Sequence, residues 1–291
     1  MPDEAVVLAS LVAWGQSSPS VRALVLTSSR ARQDGSADLL SDYDVIVAMR
    51  DAASFVADQA WLAGYGEPLV GWGDEDELLG STTTFRGVVH ADGVRIDYTL
   101  WPEVLLGQVS EEATLPDALD VGYRVLLDKD GQTSHWPPPT HTAHVPARPT
   151  KEEYDTLVEE FWWDTTYVAK ALWRGELLFA KFMLDFDTKH VALRRFLEWR
   201  VELDHDWALR PGAYGRGLER LLPSDVWAEL ARTYVGTDVE ENWEALSWTI
   251  ALFRRVATDV ADALGFEYPQ ATEEAMTAQL RAVRALPPCS G

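Results

Sequence analysis

The chain has 291 residues, 47% hydrophobic and 25% charged, which suits one large or two ordinary domains and excludes global disorder. Forty-seven acids against 25 bases leave a net charge of −22, which argues against a nucleic-acid partner, because phosphate backbones bind basic surfaces. A single cysteine, Cys289, allows no internal disulfide, the start Met1-Pro2-Asp3-Glu4 lacks the basic segment of a secretory leader, and no apolar run nears the ~20 residues of a membrane span, so the expectation is a soluble cytoplasmic protein.

In chain order, Ala5 to Trp14 predicts a short amphipathic helix with Val6, Val7 and Leu11 as its apolar positions, broken by Ser17-Ser18-Pro19-Ser20. Val21 to Leu26 reads as a buried strand that feeds a small-residue turn at Ser28-Ser29. A polar loop from Ala31 to Ser41, with a turn signal at Asp34-Gly35, leads to Asp42-Tyr43-Asp44 and a second strand over Val45 to Met49. Strand side chains alternate faces, so Asp42 and Asp44 point the same way. Like charges that close repel, and a divalent cation with oxygen ligands is the usual remedy. Taken alone, an Asp-x-Asp also fits a solvated strand entrance or a helix cap.

Asp51 to Leu62 predicts a helix that buries Phe55 and Trp61, and Gly64 to Gly73 an edge strand and turn around Leu69-Val70. The acidic run Asp74-Glu75-Asp76-Glu77 reads as a solvated loop, or as a rim that recruits a cationic substrate. Thr82 to His90 and Val94 to Leu100 form a hairpin across Asp92-Gly93, which puts a third carboxylate, Asp97, on a strand. A short helix over Val104 to Val109 and a final strand over Gly122 to Leu127 complete this half.

From Asp128 to Thr150 the prolines at 137–139, 146 and 149 predict a stiff connector. His135, His141 and His144 fall in it, but their loose spacing, with no cysteine near, reads as linker and not as a zinc site. The division is residues 1–135, a Pro-rich linker over 136–149, and residues 150–291. Thr150 and Glu153 have capping-box spacing for a helix from Lys151 to about Trp173. One face of that helix carries Leu157, Phe161, Val168 and Leu172, and the opposite face Glu159, Trp163, Tyr167, Lys170 and Arg174. Aromatics beside cations on a second face suggest a helix that lines a cleft. Further helices are expected over residues 176–187, 189–204, 217–222, 224–234, 239–264 and 272–286, with Ser224 and Thr272 as N-caps. Eight of the 13 tryptophans follow Pro149, so this helical half is built on large aromatics.

The Ser28-Ser29 turn, Asp42-x-Asp44 on the next strand and the later Asp97 resemble the nucleotidyltransferase superfamily signature, with Ser28 where that family has glycine. Glu160-Phe161-Trp162-Trp163, Tyr167-Val168-Ala169-Lys170 and Leu172-Trp173-Arg174, together with Ser29-Arg30, Arg95-Ile96-Asp97 and Leu126-Leu127-Asp128-Lys129-Asp130, resemble the streptomycin (aminoglycoside 6-) adenylyltransferase family over most of the chain. The resemblance implies an α+β fold: an N-terminal nucleotidyltransferase-type mixed sheet with flanking helices, and a C-terminal all-α helical bundle. It implies transfer of AMP from ATP to a streptomycin hydroxyl with release of pyrophosphate. Two Mg²⁺ ions held by Asp42, Asp44 and Asp97 are implied, with Asp97 either a shared ligand or the general base. Ser28, Ser29 and Arg30 would meet the nucleotide phosphates, joined by Lys170 and, more weakly, Arg216. Glu159, Trp163, Asp164 and Tyr167 are the candidates for holding a guanidinium-bearing acceptor, and the negative net charge would steer such a cation. Two alternatives stay open: another acceptor (a different aminoglycoside, a lincosamide or a protein side chain), or a nucleotide-binding module without turnover.

Overall fold

The computed structural model describes residues 2–32, 34–209 and 211–287; Cys289 lies outside the described residues. The chain divides into two compact units, one up to His144 and one from Val145 onward.

The first unit is built on a six-stranded mixed sheet in the order β3-β4-β5-β2-β1-β6. The strands are β1 (Val21–Thr27), β2 (Tyr43–Met49), β3 (Pro68–Leu78), β4 (Ser81–His90), β5 (Arg95–Pro102) and β6 (Tyr123–Asp128). β2 and β5 pair in parallel, and the other neighbours are antiparallel. β1 and β2 carry apolar residues on both faces because both faces are covered there. On one face Leu24, Leu26, Val45 and Val47 pack with Val7 and Leu11 of helix Glu4–Ser17. On the other, Ala23, Val25, Ile46 and Ala48 pack with Leu105, Leu106 and Val109 of helix Val104–Glu111.

Several local readings change in the structure. The expected helix over residues 51–62 is split into Ala52–Ala57 and a 3₁₀ segment Gln59–Gly64, because the Asp58 carboxylate caps the second piece by accepting from the N–H of Ala60. The acidic run 74–77 is strand, not loop: it continues β3 to Leu78 along the sheet edge, with 68–77 all exposed. Charged residues on an edge keep it from pairing with another chain, which explains acids in a strand. Residues 136–144, read as linker, fold back onto the first unit. Trp136 is buried, donating Nε1–H to the Leu106 carbonyl at 2.9 Å. The Asp120 carboxylate accepts from the N–H groups of Thr140, Thr142 and Ala143 at 2.6, 3.0 and 2.9 Å. Burial would raise the Asp120 pKa, but these hydrogen bonds outweigh it and hold it at about 2.

The second unit is helical among its described residues. Helix Lys151–Arg174 starts on the capping box: Thr150 Oγ1 accepts from the N–H of Glu153 at 3.1 Å, and the Glu153 carboxylate accepts from the N–H of Thr150 at 2.7 Å. It ends on Gly175 in the left-handed conformation. The break expected near Thr188 is absent. Residues 177–203 run on through a π-helical stretch, Phe182–Leu193, in which Thr188 Oγ1 donates to the Met183 carbonyl at 2.7 Å. Ser224 and Thr272 lie inside their helices and not at the caps, which are Pro223 and Pro269. Helix Val239–Leu264 packs on helix Lys151–Arg174, with Phe253 stacked on Phe161 at 3.5 Å between ring centroids.

Candidate functional site

β1 ends at Thr27, and the chain turns into a single helical turn, Ser28–Ala31. Ser28, at the glycine position of the superfamily signature, has φ +60°. This is the left-handed region that glycine enters freely and other residues enter at a penalty. The Ser28 hydroxyl favours the charged form of Asp44, so the residue that strains the turn also acts on the acid opposite it. Arg30 turns away from this centre. Its guanidinium donates to the Ser41 carbonyl at 3.0 and 2.7 Å and to that of Asp38 at 3.1 Å, pairs with Glu4 at 3.1 Å, and lies 4.1 Å over the Tyr43 ring. Those contacts brace the loop that delivers Asp42.

Asp44 stands in register with Asp97 across the parallel β2–β5 pair. Residues in register point to one face of a sheet, and Asp42 shares that face by alternation. The same face farther along carries Ile46 and Ala48 under helix Val104–Glu111, so the acids begin where that core ends. Asp97 is 8% exposed and is gripped by Arg95 two residues earlier, Nε to Oδ1 and Nη2 to Oδ2, both at 2.9 Å. Arg95 also reaches Asp42, at 3.6 Å. Asp44 keeps an uncompensated environment. Burial, then the charges of Asp97 and Asp42, push its pKa up to about 6, against the Ser28 hydrogen bond and the charge of Arg95.

Three carboxylates on one face are hard oxygen donors of the kind that bind Mg²⁺, and the raised pKa of Asp44 marks negative charge that a cation would relieve. Among the described residues, however, no three His, Cys, Asp or Glu side chains are gathered so as to hold a metal ion. Arg95 is the resident counter-charge, clamped on Asp97. Two neighbours of the triad were given no role from sequence. One is Arg95, whose i, i+2 spacing to Asp97 is the same same-face signal used for Asp42 and Asp44. The other is Gly87, in register with Asp97 on β4. A Cβ there would lie 2.9 Å from Asp97 Oδ1, so only glycine leaves the carboxylate its place.

In the second unit, Glu159, Trp163 and Lys170 are exposed along helix Lys151–Arg174, and Tyr167 is half-buried. Trp163 meets the Tyr167 ring edge-on at 6.0 Å, and Lys170 Nζ lies 4.5 Å from the same ring. Asp164, next to this row, has its pKa pushed up to about 6 by burial and then by the charges of Asp187 and Glu160. Arg216 is exposed in a turn where Tyr214 and Gly215 have φ of 56° and 78°.

A family model described as streptomycin adenylyltransferase matches residues 1–283. The chain is similar to an aminoglycoside 6-adenylyltransferase of Campylobacter jejuni, 30% identical over 272 residues that cover 92% of each chain. It is also 30% identical over 258 residues to the aminoglycoside 6-adenylyltransferase of Bacillus subtilis strain 168, covering 87% of this chain and 88% of that one. A crystal structure of an aminoglycoside 6-adenyltransferase from Bacillus subtilis aligns with a TM-score of 0.48 at 24% identity, covering 98% of this chain and 100% of that one.

Proposed function

As the chain belongs to the streptomycin adenylyltransferase family, we propose that it transfers AMP from ATP to a hydroxyl of an aminoglycoside, with streptomycin the first acceptor to test. The observation that carries this reading is the register of Asp44 with Asp97, with Asp42 on the same face and the Ser28-Ser29 turn beside them. The acceptor oxygen forms a bond to the α-phosphorus, the bond from that phosphorus to the bridging oxygen breaks, and pyrophosphate leaves.

Within this reaction the first unit's residues have separate tasks. Asp42, Asp44 and Asp97 would hold Mg²⁺. Such ions, when bound, offset charge on the phosphoryl and leaving oxygens. Ser28 and Ser29, with their backbone N–H groups at the turn, are proposed to receive the leaving phosphates. Asp97, oriented by Arg95, is proposed either to share in holding the cation or to take the acceptor's proton directly or through a water. Arg30 is better suited to holding the loop before Asp42 than to touching phosphate, since its donors are engaged. In the helical unit, Lys170 and Arg216 are proposed as phosphate-binding cations, and Glu159, Trp163, Asp164 and Tyr167 as groups for a cationic sugar.

The test is mass spectrometry of streptomycin, and of a panel of other aminoglycosides and a lincosamide, after incubation with protein, ATP and Mg²⁺. A product carrying one added AMP, lost in Asp42→Asn, is the expected outcome. Absence of an AMP adduct on every acceptor in the panel refutes the reading.

A further inference from the structure

Sheet order puts two different things on the two sides of the acids. The Ser28-Ser29 turn follows β1 on one side of β2, while β4 and then β3 lie on the other side, beyond β5. Register continues the row: Trp72, Gly87, Asp97 and Asp44 stand side by side across four strands. Gly87 adds no side chain to that row, and its missing Cβ would also lie 3.1 Å from the Phe85 ring. Beside Gly87 lies a recess of about 200 Å³ lined by Trp72, Phe85, Gly87, Val89 and Arg95. The Trp72 and Phe85 rings meet at 5.8 Å to form an aromatic wall, and Trp72 is 65% exposed. Asp74 and Asp76 follow Trp72 on the same face of β3 by alternation, each exposed. Arg95, at the edge of the recess, has its charge met by Asp97 and Asp42.

Displacement at phosphorus is in line, so the attacking oxygen and the leaving group lie on opposite sides of the reacting atom. With pyrophosphate leaving toward the Ser28-Ser29 turn, the hydroxyl arrives from the β4–β3 side, where the recess is. We propose that this recess is a subsite for the acceptor: an amine- or guanidine-bearing sugar ring lies against Trp72, Asp74 and Asp76 take its positive charge, and its hydroxyl faces Asp97 and Asp44. The assignment rests on the adenylyl-transfer reading of the three carboxylates. An aromatic face and two acids suit a guanidinium better than they suit a triphosphate, which the acids would repel.

The experiment compares the full chain with Trp72→Ala, Trp72→Phe and the pair Asp74→Asn/Asp76→Asn. Streptomycin and ATP are varied in turn, and streptomycin binding without nucleotide is followed by calorimetry. The streptomycin KM of Trp72→Ala should rise by about tenfold, with kcat and the ATP KM within about twofold of wild type. Trp72→Phe should recover most of that loss, and the calorimetric affinities should follow the same order. An active Trp72→Ala with unchanged streptomycin KM and affinity overturns the subsite and leaves the reading of the carboxylates intact. A rise in the ATP KM alone overturns it in favour of the nucleotide. If the wild-type protein adenylylates no aminoglycoside, the functional reading falls and the subsite falls with it.

Discussion

In the absence of a divalent cation, Asp44 is held where its charge is disfavoured, by burial first and by Asp97 and Asp42 next. An unfolded aspartate titrates near 4 and this one at about 6. Between those values the folded state binds the extra proton, so the Asp44 contribution to stability falls as pH rises through the interval and is level above it. Asp44→Asn should therefore stabilise the metal-free protein at pH 7.5 by roughly 1–3 kcal/mol, and the difference should vanish near pH 4. Thermal melts at the two pH values check this, and Mg²⁺ should raise the melting temperature of the wild type but not of the variant. Activity of Asp44→Asn should be lost in the same preparation. Ser28 poses the opposite question. Glycine would relieve about 1 kcal/mol of left-handed strain but remove the hydroxyl that favours the charged form of Asp44. Ser28→Gly should then be stabilised by up to about 1 kcal/mol near pH 4, where Asp44 is protonated, and by less at pH 7.5, in urea unfolding; a variant destabilised near pH 4 would mean that the turn carries no strain.

At the level of elements, β3 stands out as an edge strand exposed on both faces. Its alternation sorts Trp72, Asp74 and Asp76 to the side of the carboxylates and Glu75 and Glu77 to the other. The two glutamates therefore have no part in the proposed subsite, and their task is to keep the edge from pairing. Glu75→Thr/Glu77→Thr, which adds β-propensity while removing two charges, should self-associate at concentrations where the wild type does not, as read by light scattering, with kcat unchanged. The π-helical stretch in the second unit carries Lys189, buried, whose Nζ donates to the Thr233 carbonyl at 2.8 Å and pairs with Asp185 at 2.5 Å beside the Tyr234 ring. A buried lysine needs such partners to offset the loss of its hydration.

For the molecule as a whole, the charge of −22 by itself serves solubility. For the polycationic acceptor proposed above it would also be an attractive field at long range, screened by salt over about 8–10 Å. The kcat/KM for streptomycin should fall steeply between low and physiological ionic strength while kcat stays level, whereas kcat/KM for ATP should not fall. Steady-state kinetics in NaCl checks both. Among the described residues no helix is long and apolar enough to cross a membrane.

Much of this protein was written in patterns of short range. Asp42-x-Asp44, the Asp92-Gly93 hairpin and the Thr150/Glu153 capping box depend on residues within a few positions of one another. Such spacing survives without knowledge of the fold, because a strand repeats every two residues and a helix start is capped three residues in. The change from sheet to helices near residue 150 was legible for the same reason. What required three dimensions was every relation between distant strands. That Asp97 lies in register with Asp44, and that Gly87 and Trp72 extend the row to an aromatic recess, follow from which strand pairs with which. Strand order and register are set by burial over the whole sheet and by no local signal. The acidic run shows the limit most simply: four consecutive acids say loop by composition, and only the edge position of β3 lets them be strand.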